Sequence, residues 1–314
     1  MKFDTLIVGG GLAGLTCGIR LQKNGVKCAI ISTGQSALHF SSGSFDLLNE
    51  LADGTKVDNP LAAAGRVGAN HPYAKLDGKF AYYVREAKQL FLDCGIEVNG
   101  DAERNHLRIT PMGTLKPTWL TFSDFTQLSS PHDIAGKKVL VVNIAGFLDF
   151  NTKFVADSFE KCGAECRISS INLPELERLR ISPTEMRSTN IARVLENDKT
   201  LETLIRELGG KVSGFDSVAL PAVFGLSSAA PVRKLKEALD IPVWLIPTMP
   251  PSVPGIRAQQ QLRRSFEALG GVYMLGDTVV KADFKGNRVQ AVYSVNHGAV
   301  SYTHLRAHET DSYL

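Results

Sequence analysis

The hydrophobic positions of residues 3–31 fall into two short continuous runs separated by an amphipathic stretch. Phe3 to Val8 predicts a buried strand. Leu12 to Asn24 predicts a helix with Leu12, Leu15, Ile19 and Leu21 turned inward, and Val26 to Ile31 predicts a second strand. Gly25 ends the helix as a left-handed cap, and the three elements form a βαβ unit. Residues 33–49 are small and polar, and residues 50–78 are loop-rich. An amphipathic helix follows at Tyr82 to Cys94, then short strands joined by turns between Arg104 and Trp119.

A second strand–helix–strand unit is predicted at Lys138 to Ile144, Asp149 to Lys161 and Ala164 to Ile171. Helices fit Ser188 to Glu196, Leu201 to Leu208 and Val232 to Leu239, and strands fit Val218 to Val223 and Val243 to Ile246. The stretch P-T-M-P-P-S-V-P-G at 247–255 is too rich in proline for regular structure and leads into a helix from Ile256 to Leu269. Strands at Val272 to Met274, Thr278 to Phe284 and Val289 to Val295 close the pattern, the last two joined by the turn K-G-N-R. No internal repeat is visible. Strands alternating with helices predict an α/β protein.

Chemistry first enters between the first strand and the first helix. Gly9, Gly11 and Gly14 make G-x-G-x-x-G in its full βαβ setting. Gly9 permits the tight turn, Gly11 the approach of a phosphate or pyrophosphate, and Gly14 the close packing of helix on strand. The segment Gly9, Gly10, Gly11, Leu12, Ala13 and Gly14 is therefore the candidate phosphate cradle, with free N–H groups at a positive helix end. Gly18 extends the close packing by one turn.

An adenine-dinucleotide site also needs an acid at the end of the second strand to bond the ribose hydroxyls. That position is Ser32, followed by Thr33. A serine cannot grip two hydroxyls as a carboxylate does. Two readings stay open: FAD or NAD with that contact weakened, or FMN, which has no adenosine ribose. No arginine replaces the acid, so NADP is not favoured. Just downstream, Ser41, Ser42 and Ser44 around Gly43 suit phosphate oxygens, and His39 suits a flavin edge or substrate. An ordinary polar surface loop is the competing reading.

Arg257 and Arg264, seven positions apart with Gln260 and Gln261 between them, fit a solvated helix face better than a site for an anionic substrate. Lys116, before Pro117 and Trp119, is read the same way. No Ser-His-Asp arrangement or nucleophile elbow is present, and no residue is assigned to catalysis.

Composition narrows the class without changing it. The 314 residues are 44% hydrophobic and 21% charged, and the net charge of +3 without a charged block gives no reason to expect a nucleic-acid partner. Five cysteines, an odd number and scattered, fit a reducing compartment. Cys162 and Cys166 lack companions for a metal site, and none is expected. No apolar run reaches the length of a membrane span.

Together these residues resemble a known family, the flavoprotein B subunits of anaerobic glycerol-3-phosphate dehydrogenase. The resemblance rests on F-D-T-L-I-V-G-G-G-L-A-G-L-T-C-G, on C-A-I-I-S-T-G-Q-S-A-L-H-F-S-S-G-S-F-D-L-L and on R-I-T-P-M-G-T-L-K-P-T-W-L. L-P-A-V-F-G-L, I-P-T-M-P-P-S-V-P-G-I-R and G-G-V-Y-M-L-G-D-T-V extend it, from about residue 2 to 297. It implies FMN as the cofactor, with FAD as the alternative. It also implies two partners, a larger catalytic FAD subunit and an iron–sulfur membrane-anchor subunit. The complex would oxidise sn-glycerol 3-phosphate to dihydroxyacetone phosphate and pass electrons to menaquinone. The flavoprotein would be cytoplasmic, held at the inner face of the membrane through a partner.

The expected architecture is a Rossmann-like FAD/NAD(P)-binding flavoprotein fold with an inserted second α/β domain. Residues 1–45 and 270–297 would form the flavin domain, and residues 46–269 the insertion. Residues 298–314 depart from the family pattern and lack strand alternation, so they are expected to be a non-native tail on a flavin domain truncated at its C-terminus.

Overall fold

The computed structural model describes residues 2–182, 184–286, 288–296 and 298–302. The chain divides into two compact units, Met1–His39 with Ala258–Leu314, and Phe40–Arg257. Residues 40–45 and 258–269 thus group differently by contact than in the division expected from sequence.

In the first unit, the strand Thr5–Val8 lies parallel to Cys28–Ser32, which lies parallel to Val272–Leu275. The helix Leu12–Lys23 connects the first two, and Gly25, at φ 76°, ends it in the left-handed region as expected. Its buried face is Gly14, Leu15, Gly18 and Ile19. Leu12 and Leu21, expected inward, are only half-buried. Glycines take two inward positions because the helix approaches so closely: a Cβ on Gly18 would stand 2.8 Å from the Phe266 ring and 3.2 Å from Ile30.

The predicted strand from Phe3 to Val8 is split. Asp4 leaves the ladder, its N–H donating to the Lys27 carbonyl at 2.9 Å and its carboxylate accepting the Lys27 N–H at 3.0 Å. Lys2–Phe3 instead joins a second sheet in the order Lys2–Phe3, Gly298–Tyr302, Arg288–Ser294, Val279–Lys285. Leu6, Ala29, Ile31, Met274 and Val292 form a shared core of the two sheets. Residues 298–302, at the start of the segment expected to be a non-native tail without strand alternation, form a strand that pairs with Arg288–Ser294 on one side and with Lys2–Phe3 on the other. Main-chain pairing on both edges does not require side-chain alternation. The rest of the predicted tail, 303–314, lies outside the described residues.

The second unit is built on an all-parallel sheet in the order Glu165–Ile171, Lys138–Ile144, Ser217–Pro221, Val243–Ile246. The last two strands are buried at every position, as parallel strands covered on both faces must be. Side-chain caps place the helix starts that periodicity misjudges. Asn151 accepts from Phe154 N at 3.2 Å, so that helix is Thr152–Lys161. Asn197 accepts from Lys199 N, so the next begins three residues before the expected Leu201, as Asp198–Gly209.

The same unit holds the helix Phe80–Asp93, a small antiparallel sheet of Ser44–Phe45, Leu120–Phe122 and Val98–Asn99, and the hairpin His106–Ile109 with Leu115–Thr118. One expectation near its end is corrected. The helix Val253–Ala268 includes Val253, Pro254 and Gly255, which the proline-rich pattern assigns to irregular structure. Proline in a first helical turn lacks an N–H that has no intrahelical partner anyway, and the Ser252 hydroxyl accepts from Gly255 N at 3.1 Å. Among the described residues, no helix is long and apolar enough to cross a membrane.

Candidate functional site

The glycine loop follows the strand Thr5–Val8 directly, and its shape forbids side chains. Gly9 adopts φ 110°, and its N–H donates to the Ile31 carbonyl at 2.8 Å, locking the turn to the next strand. A Cβ on Gly14 would meet the Gly9 carbonyl oxygen at 1.9 Å. A Cβ on Gly10 would meet the Tyr273 hydroxyl at 1.9 Å and Ser32 Cβ at 2.7 Å. The helix then starts at Leu12 with Gly11 as N-cap, without a side-chain cap and without an acidic residue in its first turn. Leu15 N, bonded to Gly11 O at 2.9 Å, is the first intrahelical donor. The N–H groups of Leu12, Ala13 and Gly14 precede it and have no partner within the helix.

Ser32 stands beside this loop and is 8% exposed. Its hydroxyl donates to the Gly34 carbonyl at 3.0 Å, and its own carbonyl accepts Gly276 N at 2.8 Å and Asp277 N at 3.2 Å. The one proton that could reach a ribose is therefore engaged locally. His39, in the 3-10 turn Ala37–Phe40, is half-buried. Burial lowers its pKa, opposed by a hydrogen bond with Gln259. Gln259 also accepts the Ser36 hydroxyl at 2.6 Å.

Ser42, Gly43 and Ser44 belong to the second unit. There Gly43, at φ 80°, donates its N–H to the Ser41 hydroxyl at 3.1 Å, and its carbonyl accepts Phe122 N at 2.9 Å. The Ser42 and Ser44 hydroxyls lie 3.4 Å apart. The structure thus assembles Gly9–Gly14 with Ser32, places His39 in the same unit, and gives residues 41–44 a local role in a turn and a small sheet.

Sequence reasoning missed Tyr273. It lies on the third strand of the parallel sheet and donates its hydroxyl to the Gly10 carbonyl at 3.0 Å. Nothing local in Val272–Leu275 marks it, because its partner is 263 positions away.

Arg257 corrects an expectation. It is not on a solvated face but is 5% exposed, paired with the buried Asp124 and donating to the Gly225 carbonyl at 2.5 Å. Arg264 is exposed, as is Lys116. The cysteines are not joined in disulfides, and burial pushes Cys28 and Cys166 up to about 11. Among the described residues, no group of three or more His, Cys, Asp and Glu side chains could hold a metal ion.

A phosphate-bearing flavin fits the glycine loop. The uncapped N–H groups supply donors, and glycine at 10 and 14 lets Tyr273, Ser32 and the Gly9 carbonyl pack against the loop and fix its shape. Comparison with known proteins points the same way. The model of the FAD binding domain family matches residues 4–309. The B subunit of anaerobic glycerol-3-phosphate dehydrogenase from Yersinia enterocolitica is 44% identical over 305 residues, covering 96% of this chain and 72% of that protein. The protein of the same name from Pectobacterium carotovorum is 42% identical over 301 residues, 95% of this chain and 71% of that one.

Among solved structures, L-proline dehydrogenase from P. horikoshii aligns with TM-score 0.37 and 11% identity over 98% of this chain, which spans 52% of that one. On the glycine loop, the family match and the relatives, the chain belongs to the B-subunit family of anaerobic glycerol-3-phosphate dehydrogenase and carries its flavin-binding domain.

Proposed function

We propose that this chain is the flavoprotein subunit of an anaerobic sn-glycerol-3-phosphate dehydrogenase. In that role it takes part in oxidising glycerol 3-phosphate to dihydroxyacetone phosphate, with the electrons passed to a quinone pool such as menaquinone. The observation that carries the reading is the side-chain-free glycine loop before an uncapped helix, in a chain of this family. FMN is the flavin this reading favours over FAD. The strand end that would grip an adenosine ribose holds Ser32, and the Ser32 proton is engaged by Gly34. A larger catalytic FAD subunit and an iron–sulfur membrane-anchor subunit are the proposed partners, and the second would hold this chain at the inner face of the cytoplasmic membrane.

When bound, the flavin supplies two-electron acceptance from a substrate and one-electron release to a relay. The chain's own residues hold and orient it. The N–H groups of Leu12, Ala13 and Gly14 would hold its phosphate, and Tyr273 fixes the Gly10 peptide by bonding its carbonyl. His39, whose pKa burial lowers, would accept a proton at a ring nitrogen.

A second reading has this chain relay electrons and assemble the complex while the larger FAD subunit does the substrate chemistry. The neighbours of the glycine loop favour it: Tyr273, Ser32 and Ile7 line the loop, and none is a strong acid or base. Anaerobic mixing of the flavin-loaded chain with glycerol 3-phosphate separates the two. Bleaching of the flavin is expected for direct oxidation, and an unbleached flavin that bleaches only when the FAD subunit is added supports the relay. Mass identification of the acid-released flavin tests FMN, and stoichiometric FAD would refute it.

A further inference from the structure

Two cations face each other on the hairpin of the second unit. Arg108 and Lys116 are register partners across His106–Ile109 and Leu115–Thr118, so their side chains leave the same face side by side. Like charges placed directly opposite destabilise a strand pair. Lys116 is exposed and can turn into water, but Arg108 is half-buried. Its Nε and Nη1 atoms are buried and have no hydrogen-bond partner. Guanidinium donors left unbonded away from water are costly, and more so for a charged group than for a neutral one.

The nearby carboxylate does not relieve this. Asp46 acts on Arg108 through space, but its Oδ1 accepts the Thr118 hydroxyl at 2.7 Å. Two positions before Arg108, and so on the same face, His106 lies 3.3 Å from both the Thr121 hydroxyl and the Gln127 amide nitrogen. The face therefore carries two cations, several neutral donors and one carboxylate already in use.

We propose that this face binds a phosphate group, as inorganic phosphate or a phosphate monoester, with Arg108 as its anchor and Lys116 as the second cation. A dianion lying over the two side chains removes the repulsion and offers an acceptor to Nη2, the guanidinium nitrogen that is not among the buried unbonded atoms. Cross-strand neighbours are roughly 5 Å apart at Cβ, a span that a tetrahedral phosphate with three free oxygens bridges. Gln127 and His106 add uncharged donors, and Asp46 limits the affinity by competing for Arg108. Glycerol 3-phosphate, the substrate proposed above, carries a group of this class, and the link to it rests on that reading.

Calorimetric titration of the flavin-loaded chain at low ionic strength, with inorganic phosphate, sn-glycerol 3-phosphate and glycerol, tests the site. Phosphate and glycerol 3-phosphate should bind, and glycerol should not. Arg108→Gln should weaken phosphate binding by about tenfold or more and Lys116→Gln by about threefold, while Asp46→Asn tightens it. Lys116 is exposed, so Lys116→Gln and Asp46→Asn carry the test if the Arg108 variant does not fold. Absence of phosphate binding to the wild type, or binding unchanged in the two surviving variants, overturns the site. Phosphate binding that depends on Lys116 without tighter binding of glycerol 3-phosphate keeps the site and removes only its link to the substrate. Flavin bleaching by glycerol 3-phosphate without phosphate binding keeps the proposed function and overturns the site.

Discussion

Tyr273 donates its hydroxyl to the main-chain carbonyl of Gly10 across 3.0 Å, joining the third strand of the sheet to the loop after the first. The guanidinium of Arg263 lies 4.7 Å from the centre of the tyrosine ring and helps fix its position. The glycine loop is therefore held from outside its own βαβ unit, by a part of the chain that returns to it late in the sequence.

Substitutions around that contact should separate steric from hydrogen-bond effects. Gly14→Ala drives a Cβ into the Gly9 carbonyl oxygen at 1.9 Å, a main-chain atom that cannot swing aside. It should abolish flavin retention and destabilise the first unit. Tyr273→Phe removes one hydrogen bond without a clash and should cost about 1 kcal/mol of stability, with flavin still bound. Flavin-to-protein absorbance ratios and urea midpoints for the two variants check the contrast; equal flavin content in both would contradict it.

Ser32→Ala discriminates between the two cofactor readings. The Ser32 hydroxyl proton is committed to Gly34 at 3.0 Å, so its loss should cost about 1 kcal/mol of stability and change flavin affinity by less than about threefold, roughly 0.6 kcal/mol. Fluorescence titration of the apoprotein measures this. A drop of about tenfold or more would mean that the hydroxyl contacts the cofactor.

The buried pair Arg257 and Asp124 should respond asymmetrically to single and double replacement. Asp124 is 2% exposed and Arg257 5%. Asp124→Asn leaves an uncompensated buried charge and should cost about 3–5 kcal/mol, whereas Asp124→Leu with Arg257→Met should cost clearly less. Urea unfolding of the two variants at neutral pH measures the difference. A double variant no more stable than the single one would count against the argument.

His106 predicts an acid-sensitive component of stability. Burial lowers its pKa from 6.5 to about 4, opposed by the charge of Asp46. Between those values the unfolded chain binds the proton and the folded chain does not, so the unfolded state gains. The contribution is full above 6.5, declines as pH falls, and levels off below about 4. With the part of the ring open to water discounted, it amounts to about 2 kcal/mol. Urea midpoints between pH 7 and 4 should therefore fall more steeply for the wild type than for His106→Gln, and parallel curves would remove His106 as the cause.

Two of the parallel-sheet strands were legible because each is a mostly apolar run bounded by turn residues. Lys138 to Ile144 and Val243 to Ile246 are observed at the limits that pattern predicts. Helix starts were less legible, since Asn151 and Asn197 decide them through side-chain hydrogen bonds that no periodicity registers. The short strand Ser44–Phe45 was missed because two residues carry no period, and its existence depends on pairing with Leu120–Thr121. Arg257 was misjudged because helical spacing reports which residues share a face, and not whether that face is covered.

By itself the sequence determined the glycine loop, the helix behind it and the missing acid at Ser32, since each rests on residue types within one βαβ unit. Local steric limits on glycine and the positive end of a helix act over a few residues and need no distant partner. Only the tertiary structure decided that Tyr273 secures Gly10, that Asp124 neutralises Arg257 and that Arg108 is left with unbonded buried donors. Those outcomes depend on desolvation and on pairing between residues up to 263 positions apart, which the folded chain alone brings together.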